Sequence, residues 1–351
     1  MIPSLKSLDI QIIKVAARGT LDTLKAGIAT RTPDLLTGWV VVHPVRDHVP
    51  MNGELFFKNY HLPLLKEQKL FAKDGVARFN GDIQKLLLTL DTDLKGEQIP
   101  EGKYNALMDT DLKNQLNIND FNGQLMGGRV GLKGVVNWHN HVSWDVKGRL
   151  EKLNPKDKTL PQVAQDFLPP NLDANLSSSG SMEKGLSLKA NLDFDKYESW
   201  AIKLNQAEAK DHKAQPMMLN IAWQGIDRAV PYIGWLSSAE GYTDVTLKEG
   251  QQDIYVSTKV RPHEKTLLPT GQYNARFDVK GDLLDVERFH YQAEKGSLTG
   301  QAKVKLPNEK QQLAWQAQLQ AQNFNPQTVV ATAPVNLLNG QIKATGFAKP
   351  N

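Results

Sequence analysis

The sequence predicts an all-β fold: an elongated, curled antiparallel β-sheet forming an open hydrophobic groove, with few short helices. Three observations predict it. Apolar and polar residues alternate with a period of two along many runs. Gly-containing pairs punctuate those runs, and the second half of the 351-residue chain repeats landmarks of the first.

Alternation is the primary signal. Leu186, Leu188, Ala190, Leu192 and Phe194 alternate with Ser187, Lys189, Asn191 and Asp193. Leu313, Trp315, Ala317, Leu319 and Ala321 do the same against Ala314, Gln316, Gln318 and Gln320. Leu86, Leu88, Leu90 and Leu94 are set against Asp91 and Asp93, and Val142, Trp144 and Val146 against Ser143, Asp145 and Lys147. Ile254, Val256 and Val260 face away from Asp253, Ser257 and Lys259. Successive side chains on a strand point to opposite faces, so each run gives one apolar and one polar face. Only an antiparallel sheet can leave the polar face in water; a parallel sheet covered on both faces reads as continuous apolar runs.

Turn signals are read at Asn-Gly 52–53, 80–81, 122–123 and 339–340, and at Lys-Gly 95–96, 133–134 and 280–281 with Glu-Gly 249–250. At a spacing of about 8–12 residues they divide the chain into about thirty strands. Helical patterns are confined to residues 4–18, to Leu160–Phe167 ahead of Pro169 and Pro170, and to Tyr197–Glu208.

The repeat is explicit. Residues 100–106 read P-E-G-K-Y-N-A and residues 269–275 read P-T-G-Q-Y-N-A, identical at five of seven positions. Further landmarks follow in the same order: Asp109 and Asp278, Leu116 and Leu284, Phe121 and Phe289, Gly128 and Gly296, Trp144 and Trp315, Asn154-Pro155 and Asn325-Pro326. A fixed long period implies stacked units that cannot bury an apolar face alone. Residues 1–351 read as one elongated β-groove fragment, with repeat panels at approximately 75–155 and 241–326. Residues 156–240 are read as connecting strands and short helical segments.

Composition removes several function classes. The 42 basic and 38 acidic residues are interleaved, leaving no electrostatic footprint for nucleic acid. Cysteine is absent, which excludes disulfides and thiolate chemistry. No run approaches the ~20 apolar residues of a membrane helix. The start has no secretory pattern, so Met1 is expected to open an excised fragment whose anchor lies elsewhere. His139 and His141 share a strand face without a third ligand and read as turn residues. The pairs Asp91/Asp93, Asp109/Asp111 and Asp193/Asp195 read as solvated strand faces, and Gly128, Gly131 and Gly134 as a bulge or turn. Trp144, Trp315, Tyr104 and Tyr273 read as packing pegs. No catalytic constellation emerges, no cofactor or metal is called for, and the expectation is that the chain is not an enzyme.

Function then follows from the sheet. Its apolar face must meet a second sheet, close into a barrel, or line a groove between two curled walls. The 7 Trp and 8 Tyr are scattered and form no girdles of a membrane barrel. An apolar groove left open implies a hydrophobic ligand. The candidate lining is Leu86, Leu88, Leu90, Val142, Trp144, Val146, Leu186, Leu188, Leu192, Phe194, Ile254, Val256, Leu313, Trp315 and Leu319. The competing expectation is a β-scaffold or chaperone that adds outer-membrane protein strands at its open edge.

Two stretches carry a family resemblance. Residues 128–155, GRVGLKGVVNWHNHVSWDVKGRLEKLNP, and residues 296–326, running from GSLTGQAKVKLP to AWQAQLQAQNFNP, share a pattern: a Gly-rich strand, a turn, a Trp-bearing strand and Asn-Pro. Phe56-Phe57-Lys58-Asn59-Tyr60 and Leu219–Trp223 share the style. This resembles the TamB family, the inner-membrane subunit of the translocation and assembly module, within the AsmA-like superfamily. The resemblance implies a taco-shaped lipid conduit in the periplasm of a Gram-negative bacterium, carrying phospholipid between the inner and outer membranes and supporting outer-membrane biogenesis. It implies the outer-membrane barrel TamA as partner of the full-length protein and an inner-membrane helix absent from these residues. The C-terminal domain that would meet that partner is not recognisable here.

Overall fold

Period-two sequence becomes period-two structure over most of the chain. The computed structural model describes residues 13–348 apart from 31–34, 63–69, 97–98, 157–159, 161, 182, 184, 195–196, 209–214, 231–233, 267, 307–312, 330–331 and 334–335. Two units are present, Met1–Met182 and Glu183–Asn351. The first contains β1 (Ile13–Gly19), β2 (Leu24–Thr30), β3 (Leu35–Val42), β4 (Met51–Leu62), β5 (Leu70–Gly81) and β6 (Leu86–Gly96). It continues with β7 (Gly102–Thr110), β8 (Gln115–Leu125), β9 (Gly128–Asn137), β10 (Ser143–Leu153), α1 (Gln162–Phe167) and β11 (Leu172–Ser181). The second contains β12 (Gly185–Phe194), β13 (Glu198–Gln206), β14 (Met217–Val230), β15 (Gly234–Lys248) and β16 (Gln251–Val260). It ends with β17 (Gly271–Lys280), β18 (Leu283–Gln292), β19 (Ser297–Lys305), β20 (Leu313–Phe324) and β21 (Leu338–Ala348).

Within each unit every strand pairs antiparallel with the next, and neither ladder closes on its own first strand. The fold is therefore all-β and antiparallel, as the alternation predicts. The helix expected at Leu160–Phe167 is α1. The other two helical expectations are corrected. Residues 4–12 lie outside the described residues and Ile13–Gly19 is β1, while Glu198–Gln206 is β13. In β13, Trp200, Ile202 and Leu204 alternate with Ser199, Ala201 and Lys203, and tertiary pairing on both sides outweighs local helix propensity.

The strand count is also corrected, from about thirty to 21 among the described residues. Six of the eight Gly-containing pairs taken for turns lie within strands: 52–53 in β4, 122–123 in β8, 133–134 in β9, 339–340 in β21, and 80–81 and 95–96 as the last residues of β5 and β6. Gly128, Gly131 and Gly134 all belong to β9. Gly250 and Gly281 do sit in turns, with φ of 70° and 59°.

The ladders β2–β11 and β12–β21 carry the same irregularities at the same places. The β5–β6 register shifts between Ala72 and Asp74, and that of β15–β16 between Ser238 and Glu240. Shifts at Leu107/Met108 and Ile118/Phe121 are matched at Arg276/Phe277 and Val286/Phe289. Those at Leu150/Leu153 are matched at Ala321/Phe324. Each extra residue changes the phase of the alternation and bends the strand. Asn59 and Gly225, at φ 50° and 71°, supply the left-handed backbone at one matched pair, and Lys152 and Asn323 at another.

Burial follows these irregularities. In the second unit Tyr291, Ala293, Ala321 and Phe324 form a buried cluster beside the β20 bulge, with Tyr273, Phe289 and Leu298 against it. In the first, Phe57, Ala72, Tyr104, Leu125, Leu153 and Leu172 are buried near the corresponding bulges.

Candidate functional site

Register carries the apolar residues of each strand onto those of the next. In the second unit one row reads Leu188, Leu204, Leu219, Val245, Ile254, Phe277, Val286, Ala302, Ala317 and Ala344, crossing all ten strands. The neighbouring row on the opposite face begins Lys189, Lys203, Asn220, Asp244, Tyr255 and Arg276. Every member of the Leu188 row is half-buried, so the middle of the apolar face keeps access to solvent while bulge-side residues are packed away.

The structure brings most of the predicted lining residues into such rows. In the first unit Leu86 shares a row with Trp144 through Thr110, Leu116 and Val136. Leu88 shares one with Val146 through Met108, Ile118 and Gly134. Leu90 joins the same face between Ala77 and Ala106. In the second unit Leu186 and Trp315 share one row, which ends at Gly346, with Leu313 next to Trp315 on its strand face. Val256 and Leu319 share another row, through Ala275, Phe289 and Gly300. Leu192 and Phe194 are on the face but buried, at 7% and 1% exposure. Val142 lies before β10 and is 45% exposed, off the ladder. Trp144 donates through Nε1 to Ser178 Oγ at 2.9 Å.

Three features of this face escaped sequence reasoning. The first is a set of glycine shelves. Phe57 lies over Gly75, Phe79 over Gly53, Tyr104 over Gly123, Trp223 over Gly241 and Trp315 over Gly346, each pair directly cross-strand. A Cβ at Gly75 or Gly241 would collide with the ring above it. The large rings recline because their partners have no side chain, which keeps the face low in relief. An aromatic opposite a glycine at strand register is the signal, and it becomes readable only when pairing is known.

The second is a charge pair set in the apolar face. Glu198 is on the Trp200 side of β13, and Arg228 lies between Ile226 and Val230 on β14. Arg228 Nε donates to Glu198 Oε2 at 3.0 Å and Nη2 to Oε1 at 3.1 Å. Trp200 Nε1 donates to the same Oε1 at 2.9 Å, and the guanidinium carbon lies 5.8 Å from the Trp200 ring centre. Every strong group of the pair is thus used within the protein.

The third is a matched tyrosine anchor. Tyr104 donates its hydroxyl to the Pro100 carbonyl at 2.6 Å, and Tyr273 donates to the Pro269 carbonyl at 2.6 Å. Tyr273 stacks on Tyr291 at 4.6 Å between ring centres. Burial, with Tyr291 alongside, pushes the Tyr273 phenol above the ordinary tyrosine range. These tyrosines pack against neighbouring rings of the apolar face.

The polar motifs sit elsewhere. Asp91 and Asp93 are on the opposite face of β6, with Asp93 across from Lys103. Asp109 accepts from Asn117 and Asn119. Asp111 closes the β7–β8 hairpin: Oδ1 accepts from the Asn114 amide at 2.7 Å and from those of Lys113 and Gln115, holding its carboxyl at about 2. His139, in the β9–β10 turn, bonds Asn114 through Nδ1.

Among known proteins, the family model described as TamB, N-terminal domain, matches residues 3–209, more than half of the chain. No curated protein and no solved structure matches it.

Proposed function

Since this chain belongs to the TamB family, with its role in the translocation and assembly module, we propose that its apolar face is the working surface, a lipid conduit. It carries the acyl chains of phospholipid along the rows of Leu, Val, Ile and Ala, in the periplasm of a Gram-negative bacterium, between inner and outer membranes. The outer-membrane barrel TamA is the partner of the full-length protein.

One observation carries the reading: an apolar row crosses all ten strands of the second unit without a charged residue, and every member stays half-buried. A face made only to be covered by its own chain would bury its central row as deeply as its rim. An acyl chain gains about 0.8 kcal/mol per buried methylene on such a surface, so contact is favourable yet divisible into small steps. Rings lying over Gly53, Gly75, Gly241 and Gly346 fill the space above those glycines. The work is solvation, with no bond made or broken.

Photo-crosslinkers test it. Probes at Leu188 and Trp315 label co-purified phospholipid, whereas probes at Lys189 and Gln316, on the other face, do not; equal labelling of both faces rejects the conduit. Leu188→Arg removes the lipid detected by mass spectrometry while the protein still expresses, because a charge set in the path imposes a desolvation cost of about several kcal/mol.

A further inference from the structure

The opposite face of the second unit holds a site that the lipid reading does not use. There an open cleft of about 840 Å³ crosses β12–β17. Its floor is made of small side chains, Ser199, Ala201, Ala222 and Ser257. Around them stand Asp193, Gln224, Glu240, Lys259 and Gln272, with the ring of Tyr242 to one side, 42% exposed. The side chains of those five polar residues bond to no other described residue. Nearby polar residues on the same face do pair: Asn220 with Asp244, Arg276 with Asp253, and Ser187 with Asn205.

We propose that this cleft binds a β-1,4-linked glycan chain. Planar amides and carboxylates match the paired hydroxyls of a sugar ring, and a tyrosine face takes the ring's C–H surface. Two carboxylates against one ammonium disfavour an anionic ligand such as a phosphate. A peptide has little to grip, since the backbone groups of β13–β16 are engaged in ladders on both sides. A floor of small side chains laid across successive paired strands suits a ribbon-shaped chain. β-1,4 linkage makes such a ribbon and α-1,4 linkage makes a coil.

Calorimetric titration of the full chain with cellotetraose, chitotetraose and maltotetraose tests this. At least one β-1,4-linked probe binds, and maltotetraose binds about ten-fold more weakly or not at all, a difference of about 1.4 kcal/mol. Ala222→Phe fills the floor and abolishes binding; phenylalanine already occupies the matching position of the first unit, Phe56, so the fold tolerates it. Gln224→Ala with Glu240→Ala weakens binding without filling the cleft, and Gln318→Ala, outside it, leaves binding unchanged. Circular dichroism verifies that each variant is folded. Failure of both β-1,4-linked probes to bind, equal binding of maltotetraose, or full binding by Ala222→Phe overturns the proposal.

Discussion

The two units share one face and differ on the other. On the apolar face, strand pairing, bulges, one glycine shelf and the tyrosine anchor match: Phe57 over Gly75 answers Trp223 over Gly241, and Tyr104 bound to Pro100 answers Tyr273 bound to Pro269, although Tyr104 faces Gly123 where Tyr273 faces Tyr291. On the polar face the match stops. Where the second unit has Ser199, Ala201 and Ala222 flooring a cleft, the first has Leu35, Thr37 and Phe56, with Leu35 and Phe56 standing 41% and 43% exposed. On the proposed reading, a shared duty accounts for the face that matches, and separate duties for the one that does not. The bulges belong to the shared part because they set where the wall bends and which residues stay half-buried.

The largest effect that would break this comparison is expected at the charge pair, which the second unit places in its apolar face. Glu198→Ala strands the Arg228 guanidinium at a partly buried position and costs about 3 kcal/mol, read as a lower urea midpoint for the second unit. Adding Arg228→Met recovers most of the loss, because two apolar groups need no partner; a double variant no better than the single would show that the pair does not hold the face together.

Next come the shelves, where the units should agree. Gly75→Ala and Gly241→Ala each force a ring off its partner strand and cost about 2 kcal/mol, since overpacking displaces side chains from their rotamers. Gly250→Ala meets open space and incurs only the strain of its φ of 70°, about 1 kcal/mol. Unequal losses at Gly75 and Gly241 would sharpen the comparison by showing that one copy relaxes more easily.

Smaller still is the anchor. Tyr104→Phe and Tyr273→Phe each remove one hydrogen bond, about 1 kcal/mol. Tyr273 adds a pH signature. Its folded phenol titrates above the unfolded one, so its contribution is intact below the ordinary tyrosine range and is lost as pH climbs through the raised range. Urea midpoints at about pH 8 and about pH 11 should therefore diverge more for the native chain than for Tyr273→Phe.

The smallest effect separates the hairpins. Asp111 in the first unit is ionised down to about 2, held there by the Asn114 amide first, whereas the matching turn of the second unit is Gly281-Asp282. The brace on β7–β8 is present above the ordinary aspartate range and lost as pH falls toward 2. Amide exchange at Asn114 should rise in that window and exchange at Asp282 should not follow it.

The fold class was legible because Leu186–Phe194 and Leu313–Ala321 alternate without interruption, and their neighbours proved to carry the same phase. The site was legible as a face but not as a surface with rows. In β14, Met217, Leu219, Ile221 and Trp223 keep one phase and Ile226, Arg228 and Val230 the other, because Gly225 inserts a residue. A strict period-two reading loses the face there. Asn-Gly was misread as a turn at 52–53 and 122–123 because the same dipeptide that favours a hairpin also gives room for a ring from the adjacent strand. Glu198 looked like part of a helix start, and its partner Arg228 is two strand ends away in sequence, beyond the reach of any local pattern.

The matched bulges have a consequence for how such a chain can change over generations. A one-residue slip in strand pairing turns a whole face over, so most recombination between unrelated strands yields a sheet with its oily side out. Two ladders whose extra residues fall at the same places avoid that fate: a crossover joining the turn after β6 to the start of β17 preserves the phase of every strand that follows. Length, in this architecture, is a heritable variable that unequal exchange can lengthen or shorten in whole strands, while the distinction between wet and oily sides passes through unchanged.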